Sequence, residues 1–382
     1  MAGIVTALRV SRGPSASFAA MGCVWGGFMA VMPDIKAGLG LADAPFGRLL
    51  IWGSVAAIAA MTLTPRFGTA LGRAALPMLT ALMGLALALQ AAAGSATGFA
   101  LALAAMGAAT GALDVLMNAR VGALEAARRM PLMNLAYALY SLAFAGSAVL
   151  TGVARAAGWG PGAILTSAAL VVGGLALVSA EHDGRIEGMD SGGRRRGPRV
   201  GRVAWLGGLL VLIGLMAENA VEAWSALFVE RDLGGATGAG SLGPALLGLT
   251  MGAGRLAGQV LGRRLGDQRL LAGGLTLAAV GIGLVLVAGS PAMAYAGFTV
   301  LGLGCSVVVP TAMGIVGRLS PAEARGAAIA RATVVGYIGY FIGPPLIGLA
   351  ASLAGLRLSF AMIAGILLAG LALRGRLARL DR

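Results

Sequence analysis

Apolar runs close to 20 residues long recur along the whole chain, and short segments rich in arginine and glycine separate them. A helix needs about 20 mostly apolar residues to cross the hydrocarbon core of a bilayer. Of the 382 residues, 58% are hydrophobic and 12% are charged, which is far more apolar than an ordinary soluble domain. The pattern therefore predicts an all-α membrane protein that crosses the bilayer many times.

Twelve transmembrane helices fit this length and leave little chain for a soluble domain. We expect two six-helix bundles, residues 1–180 and 203–382, joined by a cytoplasmic linker of residues 181–202 that is rich in Gly and Arg and has no apolar periodicity. The predicted spans cover residues 15–33, 46–64, 74–93, 98–119, 134–154, 161–179, 203–227, 244–261, 270–288, 292–314, 327–350 and 357–373.

The basic residues are distributed unequally between the two sides of these spans. With the N-terminus in the cytoplasm, 24 of the 29 Lys and Arg residues fall in cytoplasmic segments. The positive-inside rule therefore predicts that both termini are cytoplasmic, in a bacterial-type inner membrane. Because the arginines are dispersed between apolar runs, the formal net charge of +14 does not indicate a nucleic-acid partner.

The fourth predicted span contains GALDVLMNAR, residues 111–120, which places the carboxylate of Asp114 inside an apolar run. A charge at the centre of a span costs roughly 2.5–3.5 kcal/mol on insertion scales, so such an acid faces the protein interior or a water-filled cavity. Asn118 lies one helical turn further on, on the same face. Asp114 is therefore a candidate for taking up and releasing a proton. The alternative is a structural acid that hydrogen bonds between packed spans.

Two further acids, Glu218 and Glu222, are one turn apart in the seventh predicted span. Glu218 is deep enough to be a second protonation site, since two neighbouring acids need not ionise together. Glu222 and Trp224 are closer to the outer end of the span. There, Glu222 is either a substrate-binding group or a solvated side chain, and Trp224 is typical of a membrane-interface anchor.

Polar and aromatic side chains at the depth of the spans are candidates for binding a substrate. A sugar-like solute needs several neutral hydrogen-bond partners and an aromatic face, because an unpaired buried hydroxyl costs free energy. Each of these side chains could instead serve helix packing. The candidates are Trp25, Asn118, Asn134, Tyr137, Ser141, Asn219 and Glu222.

The sequence contains no constellation typical of an enzyme or a cofactor site. It has no Cys or His spacing for a metal and no Gly-Lys-Ser/Thr loop for a nucleotide. We therefore expect no metal and no cofactor. An ion gradient is then the energy source that remains for transport.

The two halves of the chain show a weak internal similarity. The pattern G-x-x-D-x-x-x-N of residues 111–118 recurs as G-x-x-V-x-x-x-T at residues 304–311, without the acid. Parallel repeats of this kind are common in secondary transporters, whose substrate sites lie near the bilayer midplane.

Four stretches, in this order, resemble the major facilitator superfamily, and within it a branch of bacterial permeases related to the fucose/H⁺ symporters. They are PDIKAGLGLADAPFG at residues 33–47, DVLMN at 114–118, ENAVEAWS at 218–225 and GYIGYFIGPPLIG at 336–348. The resemblance implies a monomer whose two bundles rock around a central site. It also implies that Asp114 couples protons to transport and that Asn118 lies beside the substrate.

The chain departs from the pattern of this branch and from that of the superfamily. Those symporters carry a further acid in the first span, where the region around Phe28 is apolar here. The superfamily signature G-x-x-x-D-R-x-G appears as LTPRFG, with Pro65 where the acid is expected. The resemblance assigns cytoplasmic gating, in a weakened form, to Arg66, Arg73, Arg255, Arg263 and Arg264.

Together these features predict proton-coupled transport of a small solute, such as a sugar-like one, by alternating access, with no enzymatic activity. Two alternatives remain open. One is proton antiport that exports a metabolite or drug, and the other is a membrane scaffold or receptor that keeps the fold without transport.

Overall fold

The computed structural model describes the backbone of residues 2–128, 132–181, 201–320 and 325–380. It describes the side chains of these residues except 2–4, 65–69, 126, 134, 256, 259–263, 325–327 and 330. Within these ranges the protein is all-α, as predicted. The chain divides into two compact units, Met1–Leu41 with Leu49–Gly193, and Ala42–Arg48 with Arg194–Arg382. Nearly all of the predicted linker, residues 182–200, lies outside the described residues.

The helices follow the apolar runs of the sequence, with turns at the glycine-rich segments. Those that begin before residue 182 are α1 (Ala2–Val10), α2 (Arg12–Gly38), α3 (Asp43–Leu71), α4 (Ala75–Ala91), α5 (Ala96–Arg128), α6 (Met133–Ala156) and α7 (Pro161–Val178). The later helices are α8 (Arg202–Leu227), α9 (Leu242–Leu265), α10 (Asp267–Leu286), α11 (Pro291–Leu319) and α12 (Arg325–Arg379).

In the described part of the chain, 10 helices are long and apolar enough to cross a membrane. The last of them lies in α12, which breaks at Gly355, where φ is 79°, and covers the predicted eleventh and twelfth spans. Helix α9 is not among the 10 but coincides with the predicted eighth span. The helices thus account for the predicted spans, and the protein is a multi-pass membrane protein.

In the first unit, α2 packs closely along α6 because glycines let the two backbones approach. A Cβ atom on Gly26 would overlap the carbonyl oxygen of Phe144. At the end of α2, Asp34 forms a bidentate ion pair with Arg155 of α6, with N···O distances of 2.6 and 2.7 Å. The Arg155 side chain is fully buried and also donates to the carbonyl oxygen of Ala30 at 3.1 Å. Helices α2 and α6 are therefore fixed to each other at this end.

In the second unit, α8 packs closely along α12, again because a glycine lets the two backbones approach. A Cβ atom on Gly343 would lie 3.0 Å from the carbonyl oxygen of Met216. Near the end of α8, the Trp224 ring is fully buried, and its Nε1 atom donates to the carbonyl oxygen of Pro344 at 2.9 Å. The prediction that Trp224 is an interface anchor is therefore wrong, because the indole is used to join two helices.

Candidate functional site

Helix α5 holds Asp114 in place by its close contact with α3. Cβ atoms on Gly107 and Gly111 would overlap the carbonyl oxygens of Gly53 and Ala57, so only glycines allow this approach of the two backbones. Asp114 lies just after this contact and is half-buried. An acid that follows a tightly packed glycine face has a well-defined position in the first unit.

Asp114 belongs to a chain of hydrogen bonds that joins α5 to α6. The Nδ2 atom of Asn118 donates to Asp114 Oδ1 at 3.0 Å and to the Asp114 carbonyl oxygen at 2.8 Å. The hydroxyl of Tyr137 donates to Asn118 Oδ1 at 3.0 Å. The Tyr137 ring, which is 39% exposed, meets the ring of Phe18 on α2 edge-on at 5.0 Å. Three of the residues singled out in the sequence therefore form one connected group.

One polar atom near this group was not singled out in the sequence. The hydroxyl oxygen of Thr110, one turn before Asp114, is buried and has no hydrogen-bond partner within the described residues. Buried hydroxyls normally have a partner, so Thr110 marks a place for a water molecule or a solute group. The spacing of four residues from Asp114 was a signal that sequence reasoning could have used.

The remaining candidates of the first unit are not connected to Asp114 by any hydrogen bond that the structure describes. Ser141 is buried one turn after Tyr137 on α6. Trp25 is half-buried on α2, with its ring 5.9 Å from that of Phe28. The side chain of Asn134 lies outside the described residues.

In the second unit, Glu218 and Glu222 lie on one face of α8, beside a guanidinium from α9. The Nη2 atom of Arg255 is 3.5 Å from Glu218 Oε1. Glu222 is 4% exposed, and its charged neighbours are Glu218 and Arg255. Within the described residues, its carboxylate makes no hydrogen bond or ion pair. Glu222 is therefore not the solvated side chain that one reading of the sequence expected.

Arg255 lies within α9 and pairs with Glu218, although the family resemblance groups it with the arginines that gate the cytoplasmic side. Of the others in that group, Arg73 and Arg264 are exposed, and the side chains of Arg66 and Arg263 lie outside the described residues.

Several buried acceptor atoms on α8 lack partners in the described part of the chain. They are Glu218 Oε2, Asn219 Oδ1 and Ser225 Oγ. Asn219 is 4% exposed and Ser225 is fully buried. Such atoms cost free energy unless water or a solute satisfies them, so this part of α8 is a candidate binding surface. No group of three or more His, Cys, Asp or Glu side chains in the described residues could hold a metal ion.

Comparison with known proteins gives concordant results. The sequence profile of the Major Facilitator Superfamily matches residues 204–380. An uncharacterised MFS-type transporter of Yersinia pestis is 31% identical over 344 residues, which are 88% of each chain.

Two solved structures share the fold at low sequence identity. The nucleoside transporter NupG superimposes with a TM-score of 0.76 at 11% identity, over 98% of this chain and 99% of that one. A D-xylose-proton symporter superimposes with a TM-score of 0.72 at 14% identity, over 97% of each chain.

Proposed function

The chain belongs to the major facilitator superfamily of membrane transporters, and on that premise we propose that it is a proton-coupled secondary transporter of a small polar solute. The two units move the solute across a bacterial inner membrane by alternating access, with both termini in the cytoplasm. This topology rests on the distribution of Lys and Arg in the sequence.

The observation that carries the proton coupling is the position of Asp114. Its carboxylate is half-buried and accepts a hydrogen bond from Asn118, which in turn accepts one from Tyr137. A carboxylate inside a membrane span costs free energy, so it is rarely present without a function. The hydrogen-bonded chain ends at the partly exposed Tyr137, which connects Asp114 to the solute pathway. Asp114 takes up and releases the coupling proton, and Asn118 and Tyr137 contact the solute.

The neighbouring polar groups support a small polar solute. The Asn118 amide and the Thr110 hydroxyl, which has no partner among the described residues, lie one turn from Asp114, and the Tyr137 phenol reaches Asn118 from α6, so both donors and acceptors are present. Polar solutes need such partners because they lose their hydration on entering a site. Among the structural neighbours, the D-xylose-proton symporter is named for the transport of a sugar together with a proton.

Solute-driven proton movement in proteoliposomes tests the proposal. Purified protein is reconstituted with a pH-sensitive dye in the lumen, and a panel of sugars, amino sugars, nucleosides and amines is applied outside. We expect one solute class to move protons in the wild type and not in Asp114→Asn. The control variant Asp267→Asn removes an acid at the first residue of α10 and should behave as the wild type.

Each outcome of this experiment has a defined meaning. Equal proton movement in wild type and Asp114→Asn would refute the role of Asp114. Solute uptake without proton movement, measured with a radiolabelled solute, would refute proton coupling. The sign of the change in luminal pH distinguishes symport from antiport.

A further inference from the structure

We propose that Glu218, Glu222 and Arg255 form a site for one positive charge, which a proton occupies in the empty site and the ammonium group of an amine-bearing solute occupies in the loaded site. The inference rests on the proposed function and adds the class of substrate, a small organic amine. It concerns the second unit and does not depend on Asp114.

The first argument is the balance of charge around Glu222. Two carboxylates meet one guanidinium, and the only contact between opposite charges that the structure describes there is the 3.5 Å pair of Glu218 with Arg255. Glu222 is 4% exposed and has no ion pair within the described residues. A buried negative charge without a counter-charge is unstable, so the cluster needs one additional positive charge.

The described groups around Glu222 do not supply that charge. Cys305 of α11, a buried thiol, lies near both glutamates and the arginine. The face of α12 that packs along α8 is formed by glycines, among them Gly339 and Gly343, which carry no charge. Among the described residues Arg255 is therefore the one basic group beside the acids, and the compensating charge comes from a proton or from a bound cation.

The second argument is the excess of hydrogen-bond acceptors. Glu218 Oε2 and Asn219 Oδ1 are buried without a partner in the described part of the chain, and the Glu222 carboxylate makes no hydrogen bond there. These oxygens can only accept when the acids are ionised. An ammonium group brings three hydrogen-bond donors and one positive charge, so it supplies both the missing donors and the missing charge. An anionic solute would add acceptor atoms and negative charge to a site that already has an excess of both.

Proton release on binding tests this proposal without requiring transport. Purified protein in detergent and weak buffer is mixed with tyramine, glucosamine or putrescine, and each amine is compared with its hydroxyl counterpart, tyrosol, glucose or 1,4-butanediol. We expect about one proton released per bound amine, since one charge replaces the other, and none with the hydroxyl compounds. Over the pH range in which the site holds its proton, amine affinity should fall about tenfold for each unit of pH lowered.

Variants assign the effect to the cluster. Glu222→Gln, which keeps the shape of the side chain, should abolish proton release and weaken amine binding at least tenfold, by the removal of a charged partner. Asp232→Asn, at the end of the π-helical turn that follows α8, is the matched control and should behave as the wild type. Folded Arg255→Gln leaves two carboxylates without a guanidinium and should bind amines more tightly.

The failures of the two proposals are distinguishable. The amine site is refuted if none of the three amines releases protons, if hydroxyl compounds release as many, or if folded Arg255→Gln loses amine binding. Neutral sugars that move protons through Asp114 would then leave the proposed function intact. Amine binding with proton release, but without flux in proteoliposomes, would support the site and refute transport.

Discussion

The Nδ2 atom of Asn118 lies 3.0 Å from Asp114 Oδ1, so the carboxylate receives a hydrogen bond from the next turn of its own helix. Asn118→Ala removes this donor and also the acceptor of the Tyr137 hydroxyl. A hydrogen bond to a charged group contributes about 1.5–3 kcal/mol, and a neutral one about 0.5–1.5 kcal/mol. The Tm of Asn118→Ala should therefore decrease clearly.

Thermal unfolding, followed as loss of monodisperse protein after heating, measures this decrease. Tyr137→Phe is the matched control, because it removes the bond to Asn118 and leaves the bond to Asp114 in place, so its Tm should decrease less. Equal decreases in the two variants would show that the amide does not stabilise the carboxylate.

The ion pair between Asp34 and Arg155 should be essential for the stability of the first unit. Asp34→Asn leaves the fully buried guanidinium of Arg155 without its charge partner. Loss of one member of a buried pair costs about 3–5 kcal/mol. Thermal unfolding, followed as loss of monodisperse protein after heating, should show a large decrease in Tm.

The double variant Asp34→Leu with Arg155→Met removes both charges and should recover most of that loss. The pair of Arg231 with Asp232 offers a comparison, because the Arg231 side chain is 38% exposed. Asp232→Asn should cost only about 0–1 kcal/mol. Similar losses for Asp34→Asn and Asp232→Asn would contradict the argument from burial.

The indole of Trp224 should stabilise the contact between α8 and α12. Trp224→Phe leaves the carbonyl oxygen of Pro344 without the donor that lies 2.9 Å away. A buried hydrogen bond contributes about 0.5–1.5 kcal/mol, so Tm should decrease. Trp205→Phe is the control, since the Trp205 side chain is 48% exposed and its loss should change stability by about 0.5 kcal/mol or less. Equal effects of the two variants would argue against a structural role for the indole hydrogen bond.

Two glycine variants should have effects of opposite sign. Gly26→Ala places a methyl group against the backbone of Phe144 and should separate α2 from α6. Overpacking of this kind costs about 1–3 kcal/mol. Gly146→Ala, on α6, meets open space and should stabilise that helix by about 0.5–1 kcal/mol. The same heating assay measures both, and a stable Gly26→Ala protein would mean that the two helices can move apart at little cost.

The functional acids could be recognised before the fold was known, but their partners could not. Asp114, Glu218 and Glu222 are conspicuous because a charge within an apolar span is costly and therefore rare. The ion pair of Glu218 with Arg255 was missed because its members are 37 positions apart in the sequence, and arginines toward the cytoplasmic ends of spans are normally explained by the positive-inside rule. The burial of Trp224 was missed because tryptophan is enriched both at membrane interfaces and between helices.

The sequence by itself determined the all-α class, the positions of the spans and the family of this protein. The reason is that lipid leaves the backbone few structures to adopt, so apolar length alone predicts a transmembrane helix. Only the tertiary structure decided which polar groups meet. Helix rotation and packing bring Asn118 to Tyr137 and Arg255 to Glu218, and leave Glu222 buried without a described partner. Those contacts depend on which helices meet at their glycines. The spacing of Gly107 and Gly111 marks a close-packing face, but it does not identify the helix that lies against it.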